Sequence, residues 1–345
     1  MKYTTLPNTD IKVSKICLGT MTFGQQNTEA EGHSQMDYAL DHGVNFFDTA
    51  EMYSVPGRAE TYGSTEKIIG SWLKKTGKRE EIVLASKIAG PSPIFGYMRD
   101  KLDFSPASLQ YALDHSLQRL QTDYLDLYQL HWPERKTNFF GQRGYKVQDD
   151  DWQDNIHELL EVLDGFVKSG KIKHIGLSNE NPWGMMRFLE ESKHHNLPRI
   201  KTVQNPYSLL NRLFENASAE VCHRENVGLL AYSPMGFGVL SGKFLSGENH
   251  PHARINLFPQ YSRYSSDQCT KATRLYQEVA HKHGLTLTQL ALAFVTQQPF
   301  LTSTIIGATT MAQLKENIDA INVVLSEEIV EEIDAIQAII PDPAP

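Results

Sequence analysis

The sequence predicts an α/β protein: a (β/α)8 barrel of the TIM type, with a β-hairpin ahead of it and extra helices at its C-terminal end. Three observations predict it. From residue 14 onward, short apolar runs alternate with amphipathic stretches of helical length. The runs are apolar on both faces, as in parallel strands covered by helices on each side. The alternation counts to eight, the number at which such a sheet closes on itself. No linker or low-complexity tract interrupts residues 1–345, which read as one domain.

The hairpin comes first, from 3–6 and 11–13 around a Pro7-Asn8-Thr9-Asp10 turn. Strand-like runs follow at 16–20, 44–48, 82–87, 124–130, 174–178, 202–204, 227–232 and 303–306. Helical stretches after the first six are 29–41, 64–75, 105–120, 154–169, 183–195 and 214–224. Two stretches, 266–283 and 288–298, follow the seventh strand, and 311–321 follows the eighth. An extra helix at 326–339 is stopped by the Pro-rich tail. Local chemistry marks several ends. Ser105-Pro106 pairs a cap with a first-turn proline, and Gly170 stops the helix that ends at Lys168-Ser169.

Composition narrows the function. Lys plus Arg is 33 against 41 Asp plus Glu, a net charge of −8, which excludes broad nucleic-acid binding but not a local anion pocket. Cys17, Cys222 and Cys269 are odd in number and lack CxxC spacing, so a reducing compartment is expected rather than a disulfide framework. The N-terminal residues carry no apolar signal core, and no run reaches membrane-spanning length. A cytoplasmic protein without a membrane partner is the expectation. HExxH does not occur, so no metal site is expected. His194-His195 and His281/His283 read as solvated helix ends, and Glu327-Glu328 and Glu331-Glu332 as the solvated face of the last helix.

Four connections, 53–63, 89–104, 132–152 and 234–265, exceed the usual few residues. All follow strands, on the C-terminal face where barrel active sites are built. At that face the second strand ends in Asp48, the third in Lys87 and the fourth in His131, and Tyr53 lies five residues beyond Asp48. A nearby ammonium favours a phenolate and lowers a tyrosine's pKa. A carboxylate keeps that ammonium charged, and a histidine can donate to a substrate oxygen. The set suits proton delivery to a carbonyl under reduction. Each residue alone could be a structural hydrogen bonder; four gathered at three consecutive strand ends argue for chemistry.

The segments that carry these residues resemble the aldo-keto reductase family, in the branch that also contains potassium-channel β-subunits. They are Gly43-Val-Asn-Phe-Phe-Asp48-Thr-Ala-Glu-Met-Tyr53, Leu84-Ala-Ser-Lys87 and Asp123-Tyr-Leu-Asp-Leu-Tyr-Gln-Leu-His131. The resemblance continues in order through Ile175-Gly-Leu-Ser-Asn179, Val203-Gln204-Asn205-Pro206-Tyr207-Ser208, Ala231-Tyr-Ser-Pro234, Leu240-Ser-Gly-Lys243 and Ile306-Gly-Ala-Thr-Thr310 with Gln313-Leu-Lys-Glu-Asn317. It implies NADPH or NADP+ as cofactor and a small-molecule carbonyl substrate. Tyr53 would be the proton donor, Lys87 would lower its pKa, Asp48 would hold Lys87, and His131 would orient the carbonyl. Gly19, Thr20, Met21 and Asp48 would line the cofactor site. Ser178, Asn179 and Gln204 would bind the nicotinamide carboxamide, and Tyr232 would stack on its ring. Ser233, Pro234, Met235, Gly236, Phe237, Gly238, Val239, Leu240, Ser241, Gly242, Lys243 and Phe244 would clasp the pyrophosphate. Lys243 and Arg254 would meet the 2′-phosphate. Ile306, Gly307, Thr309, Gln313, Glu316 and Asn317 would hold the adenosine end. There is no GxGxxG and no P-loop, so this is not a Rossmann site.

The family often has Gly and a nearby Glu directly after the tyrosine. Here 54–61 intervenes before Tyr62-Gly63-Ser64-Thr65-Glu66 restores that pattern, so Tyr62 is a rival donor and the spacing from Asp48 favours Tyr53. Phe23, Trp132, Phe139, Phe140 and Tyr145 lie on C-terminal-face loops and predict an apolar substrate wall. Two other readings stand beside the reductase. One is an NADPH-binding redox sensor with slow turnover and a protein partner that no sequence feature marks. The other is a Schiff-base aldolase on Lys87, against which Asp48 works by keeping the lysine charged.

Overall fold

A computed structural model describes residues 1–147 and 151–345. Strands β1 (Tyr3–Thr5) and β2 (Lys12–Ser14) pair antiparallel as the expected hairpin. Strands β3 (Ile16–Gly19), β4 (Phe46–Asp48), β5 (Val83–Ile88), β6 (Leu125–Leu130), β7 (Ile172–Ser178), β8 (Ile200–Pro206), β9 (Gly228–Tyr232) and β10 (Leu301–Ile306) form a closed barrel. Each barrel strand pairs parallel with its neighbour in chain order, and β10 returns to β3. The helices are α1 (Glu29–Asp41), α2 (Ser64–Thr76), α3 (Pro106–Leu120), α4 (Ile156–Lys168), α5 (Pro182–His195), α6 (Ser218–Glu225), α7 (Arg254–Leu257), α8 (Asp267–Lys282), α9 (Leu287–Thr296), α10 (Met311–Asp319) and α11 (Glu327–Ile339).

Two apolar layers hold this together. A small one fills the barrel with Cys17, Phe46, Val83, Ala85, Leu127, Leu230 and Ile305, and Val13 of the hairpin closes its lower end. A large one lies between the strands and the helix ring and includes Phe47, Trp72, Leu113, Tyr128 and Leu160. The hairpin is tied down by polar groups: the Ser14 amide donates to Asn45 Oδ1 (2.7 Å), and Ser303 Oγ donates to the Ser14 carbonyl (2.8 Å). Burial of both sheet faces explains why the strands are rich in apolar residues on both sides. The predicted ends hold: Ser105 caps α3 with proline in its first turn, and Gly170, left-handed at φ 77, follows α4.

The departures are local. The stretch 214–224 is not one helix but a 3-10 turn (Leu213–Asn216) followed by α6. Ala217 breaks them, with φ −148 and ψ −43, while Glu215 is engaged by Tyr207 and Arg212. Helix 311–321 ends in a 3-10 turn at Ala320–Asn322. The connection 234–265 contains the short α7. One histidine reading needs correction, while His195, exposed at the end of α5, is the solvated helix end expected. His283 is not a bare helix end: it pairs with Glu332 (2.8 Å), as does Lys282 (2.9 Å), joining α8 to α11. His195 lies against Glu191 (3.3 Å). Of the long connection 132–152, residues 148–150 lie outside the described residues.

Candidate active site

The cleft opens where expected, at the C-terminal ends of the strands, with a volume of about 1420 Å³. That exceeds the roughly 300–1,000 Å³ of a pocket for one drug-sized ligand. Its floor is a buried polar network. Register puts Asp48 at the end of β4 beside β5, and Lys87 near the end of β5 reaches across. Lys87 Nζ donates to Asp48 Oδ2 (2.6 Å) and to the Thr49 carbonyl (2.7 Å). Asp48 Oδ1 accepts from Gln129 Nε2 (3.1 Å) and Gln204 Nε2 (2.9 Å). Every oxygen of this carboxylate is therefore used.

Tyr53 stands over that pair. The Lys87 ammonium is 4.9 Å from the Tyr53 ring centroid, and the His131 ring meets Tyr53 edge-on with centroids 5.7 Å apart. The four residues thus converge as predicted. Their electrostatics differ from the prediction in one respect. Burial pushes the Tyr53 hydroxyl up, Lys87 pulls it down, and the sum lies above the ordinary tyrosine value. Tyr53 is held as a neutral phenol, not poised as a phenolate. Burial works against the Lys87 ammonium too, but Asp48 and Tyr53 outweigh it and hold the amine above its ordinary value. Burial, reinforced by Lys87, keeps His131 well below the ordinary histidine value, so its ring is neutral. Its Nδ1 has no hydrogen-bond partner.

The rival tyrosine is engaged elsewhere. Tyr62 packs against Tyr97, accepts from Arg119 Nη1 (3.4 Å) and does not line the cleft. Burial and then Glu51 push its hydroxyl up to about 12. The 54–61 insertion folds back under the cleft rim, with the Val55 amide donating to the Met21 carbonyl (3.0 Å).

The residues expected around a nicotinamide amide form one linked set. Ser178 Oγ donates to the Gln204 carbonyl (2.9 Å), Asn179 Nδ2 to Ser178 Oγ (3.1 Å) and to the His131 carbonyl (2.8 Å), and the Tyr232 hydroxyl to Asn179 Oδ1 (2.7 Å). At the far end, Gln313 accepts from the Thr309 amide (2.9 Å), Asn317 donates to the Gly307 carbonyl (3.2 Å), and Glu316 accepts from Thr286 (3.0 Å). Gly19, Thr20, Met21, Ile306 and Glu316 line the same cleft.

The clasp is a tight left-handed path. Ser233, Gly236, Phe237, Gly238 and Gly242 all have positive φ, and Gly238 at φ 92 needs a residue without Cβ. Pro234, Met235, Ser241 and Lys243 face the cleft with Phe237 and Gly238. Five predicted clasp residues do not. Val239 and Leu240 turn into the core, Gly236 and Gly242 make turns, and Phe244 packs on His250 with centroids 5.7 Å apart. In the wall, Trp132, Phe139 and Phe140 line the cleft. Phe23 is a correction. The turn after β3 folds it inward, fully buried; a Cβ on Gly32 would lie 3.1 Å from its ring, and Thr65 donates to its carbonyl (2.8 Å). Tyr145 is exposed and outside the cleft.

Sequence reasoning missed several groups. Gln129 completes the shell of Asp48; its signal was a polar residue inside an apolar strand. Buried Glu51 and largely buried Arg99 form an ion pair (2.8 and 2.9 Å) joining the Tyr53 segment to the loop after β5, which supplies Phe95 to the cleft wall. Arg263 lines the cleft beside Lys243 and Arg254.

Those three cations test whether the site fits an anionic dinucleotide. None is salt-bridged to a carboxylate among the described residues, in a chain of net charge −8. Arg263 Nη1 is buried with no hydrogen-bond partner. Burial lowers Arg254, and burial with Arg254 lowers Lys243, so both cations are held at a cost that an anion would offset. The residues fit the group.

A closed parallel barrel with a Tyr, Lys, Asp and His at one mouth defines a carbonyl-reducing class, and the chain belongs to the aldo/keto reductase family, whose model matches residues 15–338. Its relatives agree. It is 49% identical to Protein tas of Escherichia coli (strain K12) over the full length of both. It is 34% identical to the Uncharacterized oxidoreductase YrpG of Bacillus subtilis (strain 168), covering 97% of this chain and 96% of that one. It is 28% identical to Norsolorinic acid reductase B of Dothistroma septosporum, covering 95% of this chain and 79% of that protein.

Proposed function

We propose that the protein reduces aldehydes or ketones to alcohols, reversibly, with NADPH as cofactor and Tyr53 as proton donor. The observation that carries this reading is the buried Lys87–Asp48 pair (2.6 Å) beneath Tyr53, with His131 edge-on to the same ring. The cofactor, when bound, supplies the hydride that the carbonyl carbon accepts. Tyr53, kept protonated by burial, gives its proton to the carbonyl oxygen. Lys87, fixed by Asp48, then faces the phenolate that remains and balances its charge. His131, neutral, can offer a hydrogen bond that orients the oxygen. Trp132, Phe139 and Phe140 exclude water on the substrate side.

Ser178, Asn179, Gln204 and Tyr232 would hold the nicotinamide end, and Thr309, Gln313, Glu316 and Asn317 the adenosine end. Lys243 and Arg254 would select NADPH over NADH, since either can meet a 2′-phosphate. The Schiff-base alternative is disfavoured because Lys87 is held charged by Asp48. Three free, buried cysteines support a reducing, cytoplasmic setting. No helix among the described residues is long and apolar enough to cross a membrane.

The test is NADPH oxidation by the purified protein against aromatic aldehydes, diketones and sugars, with NADH in parallel. Turnover with NADPH at least about tenfold above NADH supports the reading, since a lost charge-assisted contact is worth roughly that much. Tight NADPH binding with no turnover on any carbonyl would overturn it in favour of the slow redox sensor.

A further inference from the structure

We propose that the seam between α4 and α5 is a binding site for a zinc-type divalent transition ion, held by His157, Glu191 and His195. The three residues offer ligand atoms that all lie within 4.8 Å of one another, on the outside of the barrel and away from the cleft. The helical repeat places Glu191 and His195 on one face of α5, and His157 faces them from the first turn of α4.

The distances point to a shared ion. Glu191 Oε2 lies 3.3 Å from His157 Nδ1 and 3.3 Å from His195 Nε2. Charge-assisted hydrogen bonds close to about 2.7–2.9 Å, so both contacts are long for ion pairs. Ligand bonds of about 2.0–2.1 Å arranged tetrahedrally put neighbouring donor atoms roughly 3.3–3.4 Å apart, the spacing of Glu191 from each histidine, and all three donors lie within 4.8 Å of one another. The two rings meet edge-on, 69° apart with centroids 4.3 Å apart.

The surroundings prepare the ligands. Arg187 takes the other oxygen of Glu191 (Nη2 to Oε1, 2.5 Å) and is itself held by Asp154 (2.7 Å), which leaves Oε2 turned to the imidazoles. Glu161 Oε1 sits 3.6 Å from the far nitrogen of His157, beyond hydrogen-bond distance but on the side of the ring away from Glu191. Two imidazoles and one carboxylate suit zinc, nickel or copper and do not suit magnesium. Because α4 and α5 flank β7, which ends at Ser178, an ion here would clip together the helices that bracket the strand leading into the cleft.

Metal-free full-length protein titrated with Zn2+ tests this, by calorimetry and by thermal melting. The expected result is saturable binding at one ion per chain, with a melting temperature that rises on adding Zn2+ and does not rise with Mg2+. His157→Ala and His195→Ala should each weaken Zn2+ binding at least roughly tenfold and remove the melting shift. Both side chains are part-exposed, 35% and 50%, so neither variant opens the core. His283→Ala, in the separate His283–Glu328–Glu332 group, should leave both readouts unchanged. Absence of saturable binding at millimolar Zn2+, or one-ion binding that survives the His157→Ala/His195→Ala double variant, would overturn the proposal.

Discussion

The two ends of the cleft handle charge in opposite ways. At the barrel mouth each buried charge has its partner in place: Lys87 on Asp48 (2.6 Å), and Arg99 on Glu51 (2.8 Å), with both oxygens of Asp48 satisfied. On the clasp side, Lys243, Arg254 and Arg263 line the cleft with no carboxylate salt-bridged to them among the described residues, although Arg254 also acts on Tyr53 and Arg263 on Tyr232. A matched end is rigid and ready before anything binds. An unmatched end stores repulsion and desolvation that an anion relieves. The first is built for chemistry and the second for binding, so mutations should separate the two.

The largest effect is expected at the matched end. Tyr53→Phe removes the proton donor and should lower kcat by about 10²–10⁴-fold, measured under saturating NADPH. Because burial holds Tyr53 above the ordinary value of 10.0, the phenol stays protonated through neutrality. The kcat/KM of reduction should therefore be flat from pH 6 to 9 and fall only on the far alkaline side; a fall near pH 7 would contradict this. Next comes Asp48→Asn. Removing one member of a buried pair leaves Lys87 uncompensated and should destabilise the fold by about 3–5 kcal/mol, read from urea unfolding. A loss under about 1 kcal/mol, the level of an exposed pair, would show that the pair is not dry.

At the unmatched end, Arg254→Ala should weaken NADPH binding by roughly 10–100-fold, as loss of a charge-assisted contact does, while kcat at saturation changes little. The loss should shrink as salt is raised. The smallest effect is expected of Tyr62→Phe. Its hydroxyl faces Arg119 outside the cleft, so kcat should stay within about twofold and any change should be in stability, under roughly 1 kcal/mol. A loss as deep as that of Tyr53→Phe would move the proton donor to Tyr62.

The matched end was the more legible in sequence, for a physical reason. Asp48 and Lys87 sit at or near the ends of strands that are buried throughout, and His131 follows directly after one; a polar residue at such a position stands out. Strands buried on both faces also made the barrel itself readable. What was hidden depended on long-range folding of loops. Glu51 lies two residues before Tyr53, but its partner Arg99 is 48 residues away and no local pattern joins them. Phe23 looked like a wall residue until the turn after β3 folded it under α1, and Arg263 carried no motif. Spacing reveals the Lys87 ammonium, which does pull the Tyr53 hydroxyl down, but not the burial that outweighs it.

The most direct test pairs two variants in two assays: kcat and NADPH affinity for Tyr53→Phe and for Arg254→Ala. Separate jobs for the two ends predict that Tyr53→Phe loses turnover with NADPH affinity intact, and that Arg254→Ala loses affinity with saturated turnover intact. If both variants lose both properties together, or if Tyr53→Phe keeps its turnover, the division between a matched chemical end and an unmatched binding end is wrong.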